Sequence, residues 1–218
     1  MNRSLASRVS KARRLSLFLQ LFLFLCALSP AATAGGQDRW WSDRVEAALG
    51  KAGDNRGELL SFLEKVPGSQ RSAAAFLVEN MPQRDLSSLK SGYLEENLRL
   101  AFEARAAVAW GKKLPEDIFF NDVLPYANAN EVREAWRPGL MEKCLPLVKN
   151  CKSPGEAAHE LNRKIFKLFG VRYSTKRNRA DQAPAETIET GLASCTGLSI
   201  LLVDACRAVG VPARLAGT

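Results

Sequence analysis

The sequence predicts a mainly helical protein, and three observations carry that expectation. From Ser42 to Asn150 apolar residues recur on a helical period between short polar breaks. That stretch holds no strand-like alternation and no repeat of fixed period. Near the end of the chain, Leu198 to Val209 is apolar on nearly every side, the pattern of a helix buried within a larger body.

The first 34 residues read as an export signal rather than as part of the fold. Arg3, Arg8, Lys11, Arg13 and Arg14 precede an apolar core from Leu15 to Leu28, and Ala32-Thr33-Ala34 offers a small-residue cleavage site. The apolar core is short for a membrane span, so the expectation is export with cleavage near Ala34, an uncleaved anchor being the alternative. Leu25 is too bulky for lipid attachment at Cys26. Five of the eight net positive charges lie in this segment, which leaves +3 on residues 35–218. That balance makes no case for nucleic acid or for an anionic membrane surface as a partner. An exported chain also permits disulfides.

Residues 35–150 form the expected helical N-terminal region. Ser42 caps a short helix ending at Gly50, and Trp40-Trp41 before it either pack back on the bundle, the favoured reading, or sit in a partner groove. Asn55 and Glu58 stand at capping-box spacing, ahead of Leu59, Phe62, Leu63 and Val66. Ser69–Asn80 is a third helix, stopped by Pro82, and Ser91–Trp110 is the longest. Pro115 suits the first turn of a helix carrying Ile118, Phe119, Val123 and Leu124, which Pro125 ends. Residues 151–218 open with Ser153-Pro154-Gly155-Glu156, which combines an N-cap, a proline at N1 and a glutamate at N3. Ala157, Ala158, Leu161, Ile165 and Leu168 then make one apolar stripe, with His159 off it on the surface, and Gly170 ends the helix. Between Val171 and Ala193 the chain is polar, basic at Lys176-Arg177-Asn178-Arg179, and irregular. It reads as a long loop, of the kind that is functional or disordered, with its basic cluster a solvated turn.

The candidate chemistry sits at Ser194-Cys195-Thr196-Gly197. Cys195 falls at the first turn of the apolar helix, where unpaired N–H groups favour a thiolate and face an oxyanion formed by its attack on a carbonyl. A buried structural thiol is the competing reading. Cys144 and Cys151, seven apart, either close a small loop or remain two free thiols. Cys195 and Cys206 lie about 16 Å apart along one helix and cannot bond there. The chain has too few Cys and His for a zinc site, and no cofactor motif is present.

Arg207-Ala208-Val209-Gly210-Val211-Pro212-Ala213-Arg214, behind a helix opened by Cys195, resembles the transglutaminase-like family of papain-like cysteine enzymes. Phe119 to Tyr126 and Asn130 to Arg137 are similar to the helical lead-in of its exported bacterial members. The resemblance implies an α+β papain-like core, of which residues 151–218 hold only the first helices. It implies Cys195 as the nucleophile of a protease, amidase or transglutaminase acting on peptide or protein amides through a thioester, hydrolysis being favoured. Ala193 and Thr196 depart from the glycine and the bulky residue the family often places around its cysteine. The family's histidine base and its aspartate follow the cysteine, yet the sole histidine, His159, precedes it. The chain is therefore expected to be the front part of such an enzyme, with the partners beyond Thr218 and the apolar helix after Cys195 left partly uncovered, exposing apolar surface. The alternative is a non-catalytic helical scaffold that keeps the helix for packing. Oligomeric state is not legible.

Overall fold

A computed structural model describes residues 39–216; the export signal expected at 1–34 lies outside them. Ser42 begins α1 (Asp43–Lys51) as expected, its hydroxyl accepting from the Val45 N–H at 3.4 Å. Trp41 turns back on this helix, donating from Nε1 to Glu46 at 3.1 Å.

The expected capping box at the start of α2 (Arg56–Lys65) does not form. Asn55 is itself in a helical conformation, and its side-chain amide donates to the carbonyls of Leu86 and Leu89 at 3.0 and 2.8 Å. Glu58 instead accepts from the Ser91 N–H at 2.9 Å. Both side chains reach over thirty residues onward, so a spacing suited to local capping serves long-range closure. The third helix is shorter than expected: a 3₁₀ turn over Gly68–Gln70 leads into α3 (Arg71–Glu79). The single turn α4 (Gln83–Leu86) follows.

The long helix α5 spans Ser91–Ala107 and stops short of Trp110, because Val108 is extended. The turn that follows lets Trp110 reach back, and its indole N–H donates to the Gly210 carbonyl at 2.8 Å. Pro115 lies at the N-cap of α6 (Glu116–Asp122) rather than at N1. α7 (Trp136–Val148) accommodates Pro146 in its interior, and α8 (Pro154–Leu168) starts on the expected cap, Ser153 Oγ accepting from the Glu156 N–H at 3.2 Å. Leu168, placed on the apolar stripe by its spacing, is 46 % exposed.

The polar stretch 171–193 is more ordered than its composition suggests. It contains β1 (Arg172–Tyr173), α9 (Pro184–Thr190) and β2 (Leu192–Ala193), with the two short strands paired in parallel, Tyr173 opposite Ala193. The chain then enters α10 (Cys195–Ala208). Its end is a Schellman closure: the Gly210 N–H donates to Arg207 and the Val211 N–H to Cys206, at 3.2 and 2.9 Å, with Gly210 at φ +72°. A Cβ on Gly210 would lie 2.8 Å from the Ala104 carbonyl oxygen, so this glycine also permits close contact with α5.

α10 packs on α7, α8 and α9, and against α5. Leu140 and Cys144 from α7 meet Leu161 and Ile165 from α8 and Leu201 and Ala205 from α10. This cluster crosses residue 150, the boundary suggested by the sequence, and residues 41–218 form one unit. The apolar surface expected along α10 is not found: Ile200, Leu201, Val203 and Ala205 are all buried, and none of the exposed large apolar side chains of the described residues lies on this helix.

A polar knot lies beneath the apolar packing. Arg137, 2 % exposed, donates to Asn97 Oδ1 of α5 at 2.7 Å, to the Arg207 carbonyl of α10 at 3.0 Å, and to the carbonyls of Val123, Leu124 and Pro125 at 2.7–3.1 Å. Those last three carbonyls follow α6, where helix geometry leaves acceptors open. Arg207 completes the knot by donating to the Ala127 and Ala213 carbonyls at 2.9 and 3.0 Å. Asp204, fully buried one turn earlier, accepts from the Asn128 amide at 2.7 Å while its other oxygen has no partner. Burial outweighs the nearby Arg207 and pushes the Asp204 carboxyl up to about 7. The guanidinium of Arg207 is committed to carbonyls, which limits what it can do for the carboxylate.

Replacing Arg137 by Ala leaves the buried Val123 carbonyl and Asn97 Oδ1 without this donor, while the Leu124 carbonyl keeps the Asn97 amide and the Arg207 carbonyl keeps the Gly210 N–H. Denaturant unfolding of the chain starting at Gly35 is expected to show a loss of about 3–5 kcal/mol; a loss below about 1 kcal/mol would contradict the clamp. Asp204 gives a pH signature. Its folded-state affinity for a proton exceeds that of the unfolded chain, so its stabilising effect is complete below about 4 and is lost as pH rises through about 7. The stability difference between Asp204→Asn and the parent is expected to grow in the variant's favour by about 1.4 kcal/mol per pH unit across that window. A pH-independent difference would show that Asp204 is already ionised in the fold.

Candidate active site

Cys195 is brought to the surface by a strand, a cap and a glycine. β2 ends at Ala193, and Ser194, extended at φ −75° and ψ 175°, turns the chain into α10. The Ser194 hydroxyl accepts from the Gly197 N–H at 3.0 Å and donates to the Ala180 carbonyl. One hydroxyl therefore caps the helix and fastens the 174–181 loop against it. A Cβ on Gly197 would stand 3.1 Å from that of Ala193 and 3.6 Å from the Ala180 carbonyl and from Gln182 Cβ. The bare glycine lets the loop close under the helix start.

Cys195 occupies the first helical position and is exposed, as its place in the sequence suggests. The helix ladder begins with the Leu198 N–H donating to the Ser194 carbonyl, and Ser194 Oγ takes the N–H of Gly197. Among the described residues no group accepts from the Cys195 or Thr196 N–H. The thiol thus stands beside two donors at the positive end of a fourteen-residue helix. Such an arrangement can hold a negatively charged oxygen next to a nucleophilic sulfur.

One of the two departures around the cysteine, Ala193, acquires a structural role together with Gly191. Gly191, at φ +64°, takes the left-handed conformation that ends α9 and starts β2. Ala193 is buried in the strand pair, where the Ser174 N–H donates to its carbonyl at 2.8 Å. The partners of β2 are Arg172 and Tyr173, the latter 59 % exposed, so the basic 172–179 segment borders the approach to Cys195. Arg179 is paired with Glu186 at 2.6 Å, while Arg177 donates to the Thr175 carbonyl at 3.3 Å.

Composition alone did not reveal the support beneath this surface. Gln182 is fully buried, donates to Thr190 Oγ1 at 3.4 Å and leaves its carbonyl oxygen without a partner; Thr187 Oγ1 is likewise buried and unpaired. The only sequence signal was the proline two residues on, which marks the start of α9.

No side chain among the described residues hydrogen-bonds the Cys195 thiol. His159 is exposed on α8 and shares a shallow depression with Cys151, Glu156 and Glu160. The remaining thiols are distinct from Cys195. Cys144 and Cys206 are buried, which pushes them up to about 11 and about 12. Cys144 and Cys151 are free thiols here, not a disulfide. No group of Cys, His, Asp and Glu among the described residues is arranged to hold a metal ion.

Comparison with curated proteins and with solved structures returns no match. A family model does match, over more of the chain than the motif around Cys195 alone. Residues 143–218, from the second half of α7 through Cys195 and α10, match the transglutaminase-like superfamily.

Proposed function

We propose that this chain is the N-terminal part of an exported thiol enzyme that acts on peptide or protein amides with Cys195 as nucleophile. The observation that carries the reading is the exposed Cys195 thiol at the first position of α10, beside the open N–H groups of Cys195 and Thr196. It is supported by the superfamily match over the same residues.

In this reading the Cys195 thiolate attacks the amide carbonyl carbon, and the carbonyl oxygen takes the electron pair as an oxyanion facing the two N–H groups. Collapse breaks the C–N bond. The amine leaves with a proton from a general acid, and a thioester to Cys195 remains. Water then attacks the thioester to release a carboxylate, with an amine as the alternative acceptor; hydrolysis is the favoured outcome. In this reading His159, the sole histidine and on a different surface feature, is not the base, and the acid–base partners are supplied by residues outside these 218. The chain by itself is accordingly expected to have little or no turnover.

A non-catalytic scaffold is the second reading, favoured by the lack, among the described residues, of any side chain bonded to the Cys195 thiol. The two readings differ in how the thiols react. Iodoacetamide at neutral pH, applied to the folded chain from Gly35, should label Cys195 first and Cys151 more slowly. Cys144 and Cys206 should react only on unfolding, as burial raises both. Peptide mapping by mass spectrometry gives the order. Labelling of Cys195 no faster than Cys151 would favour the scaffold.

A further inference from the structure

A second concave site lies in the helical region, away from Cys195. It is a cleft of about 290 Å³, at the lower end of the size range of ligand pockets. Phe76 and Leu77 of α3, Pro82 and Pro125 supply apolar walls. Asp85, Tyr126 and Arg133 also line it, and its amide groups come from three separate parts of the chain: Asn80 after α3, Asn121 on α6, and Asn128 in the segment before α7.

The three asparagines share one arrangement. In each the amide N–H₂ is committed to the protein: Asn80 to the Phe76 carbonyl at 2.9 Å, Asn121 to the Asp117 carbonyl at 2.8 Å, and Asn128 to Asp204 at 2.7 Å. Each carbonyl oxygen is left without a donor among the described residues, and that of Asn128 is buried. An amide held by its nitrogen has its oxygen fixed as an acceptor. The charges nearby are already balanced, since Asp85 accepts from Tyr126 Oη at 3.1 Å and from Arg133 Nε at 3.0 Å. The cleft therefore presents neutral acceptors over apolar walls and has little to offer an anion.

We propose that this cleft binds a peptide segment, with backbone N–H groups of the peptide donating to the exposed oxygens of Asn80 and Asn121 and small apolar side chains resting on Phe76, Leu77 and the prolines. The inference does not depend on the chemistry assigned to Cys195. The two sites are nevertheless joined, because Asn128 bonds Asp204 and Ala127 bonds Arg207, both on α10. Asp204 is nine residues beyond Cys195, about 13 Å along the helix axis. The cleft thus has its own peptide contacts while resting on the helix that carries the thiol.

The test is calorimetric titration of the chain from Gly35 with N-acetyl-trialanine methylamide, beside the same peptide methylated on every backbone nitrogen. Saturable one-to-one binding of the first peptide is expected, with at least about tenfold weaker binding of the methylated one. Asn80→Leu and Asn121→Leu change exposed positions, and circular dichroism checks that each variant remains folded. Each should weaken binding about tenfold, whereas Cys195→Ala should leave it unchanged. Absence of saturation up to about 10 mM peptide would overturn the proposal, as would equal binding of both peptides. Binding that is lost in Cys195→Ala and kept in the asparagine variants would place the peptide at the other site and overturn it too. Retention of propylamine without retention of the peptide would mean an amine site and contradict the peptide assignment.

Discussion

The guanidinium of Arg137 is the constraint on which this structure turns. Five acceptors converge on it, from α5, from the end of α10 and from the three carbonyls that follow α6. The carbonyls of Val123, Leu124 and Pro125 follow the last turn of α6 and have no place in a helix ladder. Burying a guanidinium costs far more than burying a methylene, and only a complete set of acceptors offsets it. Burial and the neighbouring Arg207 act to pull its pKa down, but a guanidinium keeps its charge in proteins. The charge is what makes each of these hydrogen bonds stronger than a neutral one.

The geometry of α10 follows from that clamp. Its C-terminal end is fixed by Arg137, by the Arg207 side chain and by the Trp110 indole on Gly210. Its N-terminal end is fixed by Ser194, tied to the Ala180 carbonyl, and by the short strand pair. Between them α7 and α8 bury the sides. Cys195 is thus carried at the open end of a helix held rigidly at the other end, which is the condition for aiming a nucleophile. The helical region is more than a lead-in to this arrangement, because Asn97, Val123, Leu124 and Ala127 supply acceptors that the helix and Arg137 require.

Local signals in the sequence were read well where the structure uses them locally. Ser42 and Ser153 are caps whose N–H donors lie three residues away, and Cys195 at the start of an apolar run is visible from spacing alone. Asn55 and Glu58 carried a similar local signal and were misread, since their partners Leu86, Leu89 and Ser91 are remote. Leu168 sat on the helical period but beyond the reach of the opposing helices. The 171–193 stretch concealed α9 because a seven-residue helix has too few turns for periodicity to show. Arg137 and Gln182 left no local trace, because a buried polar residue is recognisable only once its distant acceptors are known. The clothing of α10 by α5 and α7 was likewise a matter of tertiary packing, and the expected bare surface did not occur.

If Arg137 joins the helical region and α10 into one cooperative body, native-state hydrogen exchange gives the most direct measure. The amides of Ile200 to Ala205 in α10 and of Leu94 to Ala101 in α5 should open with the same free energy, equal to that of global unfolding. In Arg137→Lys, which keeps the charge but not the fork of donors, both sets should fall together by the same amount. Separate opening of α10 while α5 stays at the global value would contradict the account, because the two would then be neighbours in contact and not parts of one clamp.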